Sequence, residues 1–213
     1  MKKLIYIYDA YCPWCYAFTP VVHQLYENYR DSFEFDVISG GMIIDDQVKS
    51  IGGWEKSESL RVGYQQISER TGVPFSEAFF DRIKDEEIVM NSEIPARALA
   101  VFREFKTSVS SIEFVHKLHN YLFLEGRNPN DEGFYRNLAT HFQLDPELFI
   151  ENMNKNYFQQ QARYDFALAK QLQAETFPRL YLQTSDTYFY LLSKGYSDYK
   201  QIVQIIDKIE AAN

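Results

Sequence analysis

The chain has 213 residues, 46% hydrophobic and 16% aromatic, enough to bury one sizeable core. A formal net charge of -8 and an isoelectric point near 5.1 argue against nucleic acid and anionic membrane as partners, because both require clustered Lys and Arg. Mean hydropathy is -0.38, and no apolar run approaches the ~18 residues of a membrane span.

Leu4 to Tyr8 is apolar, aromatic and β-branched, and predicts a buried strand. The start Met1-Lys2-Lys3 has the charge of a signal peptide. Its apolar stretch is shorter than the ~7–15 residues of a signal core and runs straight into Asp9, which predicts a cytoplasmic protein. Cys12-Pro13-Trp14-Cys15 then opens a helix, with Pro13 suited to the first helical position. Phe18, Val21, Val22, Leu25 and Tyr29 fall near helical spacing and face a core. Phe33 to Ser39 alternates as a second strand and ends at Gly40-Gly41.

From there the period becomes helical. Segments over Ser57 to Thr71, Ile112 to Leu124, Asp131 to Phe142, Pro146 to Asn154 and Tyr157 to Leu172 read as helices. Another opens at Ser92 and carries Ala96, Leu99, Ala100 and Phe102. Asn130-Asp131 and Asp145-Pro146 suit helix N-caps. Gly40-Gly41 and Gly52-Gly53 are expected to turn the chain into this helical block. Strands return at Arg179 to Gln183 and Thr187 to Leu191, joined by a Thr184-Ser185-Asp186 turn. Ser197 or Asp198 caps a last helix with Ile202, Val203, Ile205, Ile206 and Ile209 on its apolar side. The order β-α-β, helices, β-β-α predicts an α/β fold: a mixed sheet with flanking helices from residues 1–45 and 160–213, and a large all-helical insertion at 46–159.

The chain has two cysteines, and both lie in one motif. Two residues apart on a first helical turn, they can close a disulfide locally. The first sits where backbone N–H groups and the helix dipole favour a thiolate. In a reducing compartment such a pair is catalytic, redox-sensing or metal-binding rather than structural. Cys12 is the candidate nucleophile and Cys15 the candidate resolving cysteine, acting through a mixed disulfide with substrate. Trp14 is expected at the rim, offering apolar contact. Tetrahedral zinc would need two further ligands, and His116 and His119 are spaced to supply them on paper. The proline between the cysteines and the preceding strand favour redox chemistry, so no metal and no cofactor is expected. His116 and His119 are expected to be solvated or at the core edge, and His23 a surface or packing residue.

A strand, a CxxC at a helix start and a later hairpin and helix resemble the thioredoxin fold. The helical block between the halves resembles the DsbA family. YDAYCPWCYAF at 8–18, MNSEIPARALAVF at 90–102 and TFPRLYL at 176–182 resemble its cytoplasmic FrnE-like members. The resemblance implies a thiol–disulfide oxidoreductase with Cys12 and Cys15 as its reacting pair and Pro13, Trp14, Phe177 and Pro178 around them. By that match Pro178 is a cis proline facing the cysteines, and the Phe177 backbone lies beside an extended substrate. Partners would be protein or small-molecule thiols and disulfides, with glutathione or a thioredoxin system as electron donor, and neither nucleic acid nor membrane.

Two positions depart from the better-known relatives. Trp14 stands where strongly oxidising members have a histidine, and Tyr6 where many have a buried acid. Tyr is a poor base at neutral pH, and Asp9 is the nearer carboxylate, as a substitute proton acceptor or as a turn residue. Two alternatives share the frame. One is a kappa-type glutathione transferase or 2-hydroxychromene-2-carboxylate isomerase-like enzyme, although these carry serine at the first position. The other is a non-enzymatic redox-sensing adaptor whose helical block is the partner surface.

Overall fold

The computed structural model describes residues 2–50, 58–84, 88–105 and 107–212. In chain order the elements are β1 (Lys3–Tyr8), α1 (Pro13–Tyr29), β2 (Glu34–Ser39), a 3-10 turn (Asp45–Gln47), β3 (Lys49–Ser50), α2 (Glu58–Thr71), α3 (Glu77–Arg82), β4 (Val89–Met90) and α4 (Glu93–Glu104). They continue with α5 (Ser111–Phe123), α6 (Glu132–His141), α7 (Pro146–Met153), α8 (Asn156–Gln171), β5 (Arg179–Gln183), β6 (Phe189–Lys194) and α9 (Tyr199–Ala212).

The sheet order is β2-β1-β5-β6, with β1 parallel to β2 and the other pairs antiparallel. β1 is central and buried on both faces, which is why its apolar run is unbroken rather than alternating. Leu4, Tyr6 and Tyr8 point into the main core with Phe18, Val22 and Leu25 of α1 and Ile202 and Ile206 of α9. Ile5 and Ile7 lie on the opposite face with Ile38 and Tyr181, under Leu168 and Ala169 of α8. Each fully buried Leu, Ile, Val or Phe among them contributes roughly 1.5–3 kcal/mol over an exposed one. The architecture is the mixed sheet with flanking helices that the element order implies, a thioredoxin-like arrangement with helices inserted between β2 and β5.

The helical layer docks on the sheet through α5 against α1 and α4 against α8. A partly buried ion pair fixes the second contact. Asp165 of α8 accepts two hydrogen bonds from Arg103 of α4, both 3.1 Å, and the Ser39 N–H of β2 at 3.0 Å. Arg103 also donates to the Val37 carbonyl. Helix starts follow local chemistry: a Ser110–Glu113 capping box opens α5, and Asp131 and Asp145 cap α6 and α7.

Helix α4 opens at Ser92 as expected: Ser92 is its N-cap, and Asn91 supplies the side chain that accepts the Glu93 N–H at 3.0 Å. Ser92 Oγ accepts the Ile43 N–H at 3.0 Å, tying α4 to the segment after β2. Three local features differ from the sequence reading. β6 starts two residues later than expected, because Thr184 N–H bonds the Tyr188 carbonyl and keeps residues 184–188 in the turn. The six-residue α3, capped by Ser76, and the two-residue β3–β4 ladder were not foreseen. Gly52-Gly53 lie outside the described residues. Gly40-Gly41 do turn the chain out of β2: Gly40 N–H bonds the Tyr8 carbonyl at 2.6 Å, and Gly41 has φ +69°.

Candidate active site

Pro13 occupies the first helical position, so α1 begins on Cys12. Cys12 is the N-cap, with extended backbone (φ -80°, ψ 113°), and its Sγ accepts the Cys15 N–H at 3.3 Å. Both thiols are free; Cys12 is 4% exposed and Cys15 0%, so an incoming sulfur reaches Cys12 first.

The facing wall comes from the far end of the chain. The Phe177–Pro178 bond is cis, and the Phe177 carbonyl lies 3.7 Å from Cys12 Sγ, within reach of its S–H. The Phe177 ring packs against Gly40, just past the end of β2. A Cβ on Gly40 would fall 2.1 Å from Phe177 Cε1, so any larger residue there must displace the ring. Pro178 is buried and Phe177 half-buried. Trp14 is half-buried at the rim, with the Arg70 guanidinium of α2 5.7 Å above its ring and Tyr196 6.4 Å away.

Beneath the dithiol lies a layer of buried polar groups. The Asp9 N–H donates to Cys15 Sγ at 3.4 Å, and the Tyr6 hydroxyl donates to the Cys15 carbonyl at 3.1 Å. The Thr19 hydroxyl lies 2.9 Å from that carbonyl and 3.0 Å from His119 Nδ1. His119 Nε2 lies 3.3 Å from the Asp9 carbonyl. The Asp9 carboxylate accepts the Tyr11 N–H at 3.0 Å and the Met42 N–H at 2.8 Å, clasping the β1–α1 turn to the segment after β2.

Burial dominates the electrostatics of this layer. It pushes the Cys15 thiol well above its usual range, helped by the hydrogen bond and charge of Cys12. It raises the Tyr6 phenol further, so the position where relatives keep an acid holds a neutral hydrogen-bond donor. It raises the Asp9 carboxyl against the pull of its backbone donors. It lowers His119 to about 3, keeping the imidazole neutral.

The structure brings Cys12, Pro13, Trp14, Cys15, Phe177 and Pro178 to one place. His116 and His23 sit as expected, and His119 does not. His119 is wholly buried behind the motif, neither solvated nor at the core edge, with both ring nitrogens engaged. His116, almost a full turn earlier on α5, is half-buried and faces His23 at 5.7 Å between ring centroids. Sequence reasoning missed Thr19, His119, Gly40, Arg70 and Tyr196 as neighbours of the motif. Only the Gly40-Gly41 pair carried any local signal.

A mixed sheet ending in a CxxC helix cap opposite a cis proline defines a thioredoxin-fold protein with a vicinal dithiol. The chain belongs to the DSBA-like thioredoxin domain family, which it matches over residues 3–204. Among solved structures it is similar to a candidate protein disulfide isomerase of Nitrosomonas europaea (TM-score 0.83, 19% identity, 100% of this chain and 98% of that one). It is also similar to the cytosolic disulfide reductase DsbM of Pseudomonas aeruginosa (TM-score 0.80, 19% identity, 98% and 99%), a protein also solved with GSH. At these identities the likeness establishes the fold. A curated relative is the ClpXP adapter protein SpxH of Halalkalibacterium halodurans, 24% identical over 182 residues, 83% of this chain and 58% of the adapter. The chain thus spans less than two thirds of that relative's length.

Proposed function

We propose that the chain is a thiol–disulfide oxidoreductase working through Cys12 and Cys15. The observation that carries this is the placement of the dithiol: Cys12 Sγ caps the helix, takes the Cys15 N–H, and faces the Phe177 carbonyl at 3.7 Å. In the reducing direction the Cys12 thiolate attacks one sulfur of a substrate disulfide and expels the other as a thiolate. Cys15 loses its proton and attacks Cys12 Sγ, releasing the second substrate thiolate and leaving the Cys12–Cys15 disulfide. The pair has given up two electrons, and a dithiol or two monothiols of the glutathione or thioredoxin class restore it; the same steps in reverse oxidise a substrate. The Phe177 carbonyl offers a main-chain acceptor to an extended substrate, and the Trp14 face offers apolar contact. Pro13 and Pro178 shape the two walls. The substrates are protein or small-molecule disulfides, and the setting is the cytoplasm, in line with the cytosolic reductase of the same fold.

The test is dithiol-driven reduction of insulin. The wild-type protein accelerates it and Cys12→Ser does not; a Cys12→Ser protein working at the wild-type rate overturns the proposal.

The SpxH relative supports a second reading, in which the helical layer is a docking surface for a regulator and the CxxC senses redox state. Capture of a protein partner that persists unchanged when both cysteines are alanine, with no insulin reduction by the wild type, would favour it.

A further inference from the structure

The hydrogen bonds behind the dithiol have one consistent proton count. A hydroxyl carries one hydrogen, and a neutral imidazole carries one N–H. With that hydrogen on Nδ1, His119 Nε2 and the Asp9 carbonyl would be two acceptors facing each other at 3.3 Å in a buried site. With it on Nε2, His119 donates to the Asp9 carbonyl, and Nδ1 accepts the Thr19 hydroxyl at 3.0 Å. The Cys15 carbonyl then still has the Tyr6 hydroxyl at 3.1 Å. Burial keeps the ring neutral, so this arrangement holds across the working pH range.

Asp9 is where that chain meets the chemistry. Its carbonyl also takes the Cys12 N–H at 3.2 Å, closing the turn that leads into α1. Its own N–H points at Cys15 Sγ, 3.4 Å away. We propose that His119, contributed by the helical layer, is a positioning residue for the dithiol. By holding the Asp9 carbonyl and, through Thr19, the second turn of α1, it keeps the Asp9 amide aimed at the Cys15 sulfur. An amide donor stabilises a thiolate more than a disulfide sulfur, because the thiolate carries the charge. Burial keeps Cys15 a neutral thiol at rest, so the contact acts when Cys15 gives up its proton to resolve the mixed disulfide, and it speeds that step. This inference rests on the oxidoreductase reading above.

His119→Leu tests it. Leucine removes both nitrogens without orphaning a neighbour, since Thr19 can turn to the Cys15 carbonyl and the Asp9 carbonyl keeps the Cys12 N–H. The measured quantity is the rate at which the Cys12–glutathione mixed disulfide, formed with oxidised glutathione, is resolved to the Cys12–Cys15 disulfide, followed by acid quench and intact mass. His119→Leu slows that step about tenfold, the loss of one hydrogen bond to a charged sulfur. His119→Gln, which keeps an N–H for the Asp9 carbonyl, stays within about threefold of wild type. An H119L rate within twofold of wild type, a faster rate, or an H119Q loss as large as that of H119L overturns the inference. Should H119L not fold, Thr19→Val takes its place, with about a threefold slowing expected; an unchanged rate overturns the inference equally. A wild-type pair that forms neither the mixed disulfide nor the Cys12–Cys15 disulfide refutes the oxidoreductase reading itself, whereas normal exchange in wild type with an unslowed variant refutes the role of His119 alone.

Discussion

Acidification gives a quantitative test of the buried His119. Its ordinary value is 6.5, and burial lowers it to about 3 in the folded protein. Between those values the unfolded chain binds a proton that the folded chain does not. Stability therefore falls as pH drops through 6.5 and continues to fall toward 3. At about 1.36 kcal/mol per unit, the histidine costs about 2 kcal/mol at pH 5 relative to neutral pH. His116 is lowered by burial and acts in the same direction. Asp9 is raised above 3.8, so its folded carboxyl holds a proton more tightly and stability from this group rises as pH falls. Both groups remain in His119→Leu, so the difference between wild type and variant isolates His119. The assay is urea unfolding at pH 7.5 and pH 5. With a slope of about 2 kcal/mol per molar urea, the His119 contribution moves the wild-type midpoint down by about 1 M more than that of H119L. Equal losses in the two proteins would refute a neutral buried imidazole.

Three further substitutions probe the site and its support. Gly40→Ala places a methyl 2.1 Å from Phe177 Cε1, so the ring beside the carbonyl that faces Cys12 must be displaced. A loss of about 1–3 kcal/mol and a fall in insulin reduction are expected, and a variant with wild-type melting and rate contradicts this packing. Asp165→Asn leaves the Arg103 guanidinium without its carboxylate, at about 3 kcal/mol by urea unfolding; a change near zero argues against this clamp between α4 and α8. Asp9→Asn offers one carbonyl oxygen to two N–H groups, those of Tyr11 and Met42. It should cost about 1–3 kcal/mol, and an unaltered urea midpoint rules out the clasp.

What could be read from the sequence follows the range of the forces involved. β1 was legible because a strand buried on both faces must be apolar throughout, and α1 because Pro13 and the spacing of Phe18, Val22 and Leu25 are local signals. α3 was not, because six residues are too few to display a helical period, and the β3–β4 ladder is only two residues long. At β6 the run from Phe189 to Leu192 is apolar on both faces, so composition could not fix where the strand begins. The CxxC pair was legible as a candidate redox motif within four residues. Its support did not. His119 reaches Thr19 across 100 positions, and on α5 nothing in the sequence distinguishes it from His116. Spacing put two histidines on one helix, but packing against α1 turned one toward the motif and the other toward His23. Asp9 was readable as a turn residue or an acid, and the structure shows the first of these plainly, in the hydrogen bonds to Tyr11 and Met42.

The most direct measurement is capture of the mixed disulfide. Cys15→Ser leaves Cys12 able to attack but removes the group that resolves the adduct. Incubated with oxidised glutathione and analysed by intact mass, C15S should accumulate one glutathione adduct, and peptide mapping should place it on Cys12. Cys12→Ser, with its remaining thiol buried, should stay unmodified under the same conditions. An adduct that forms on C12S as readily as on C15S, or on neither, would contradict the account.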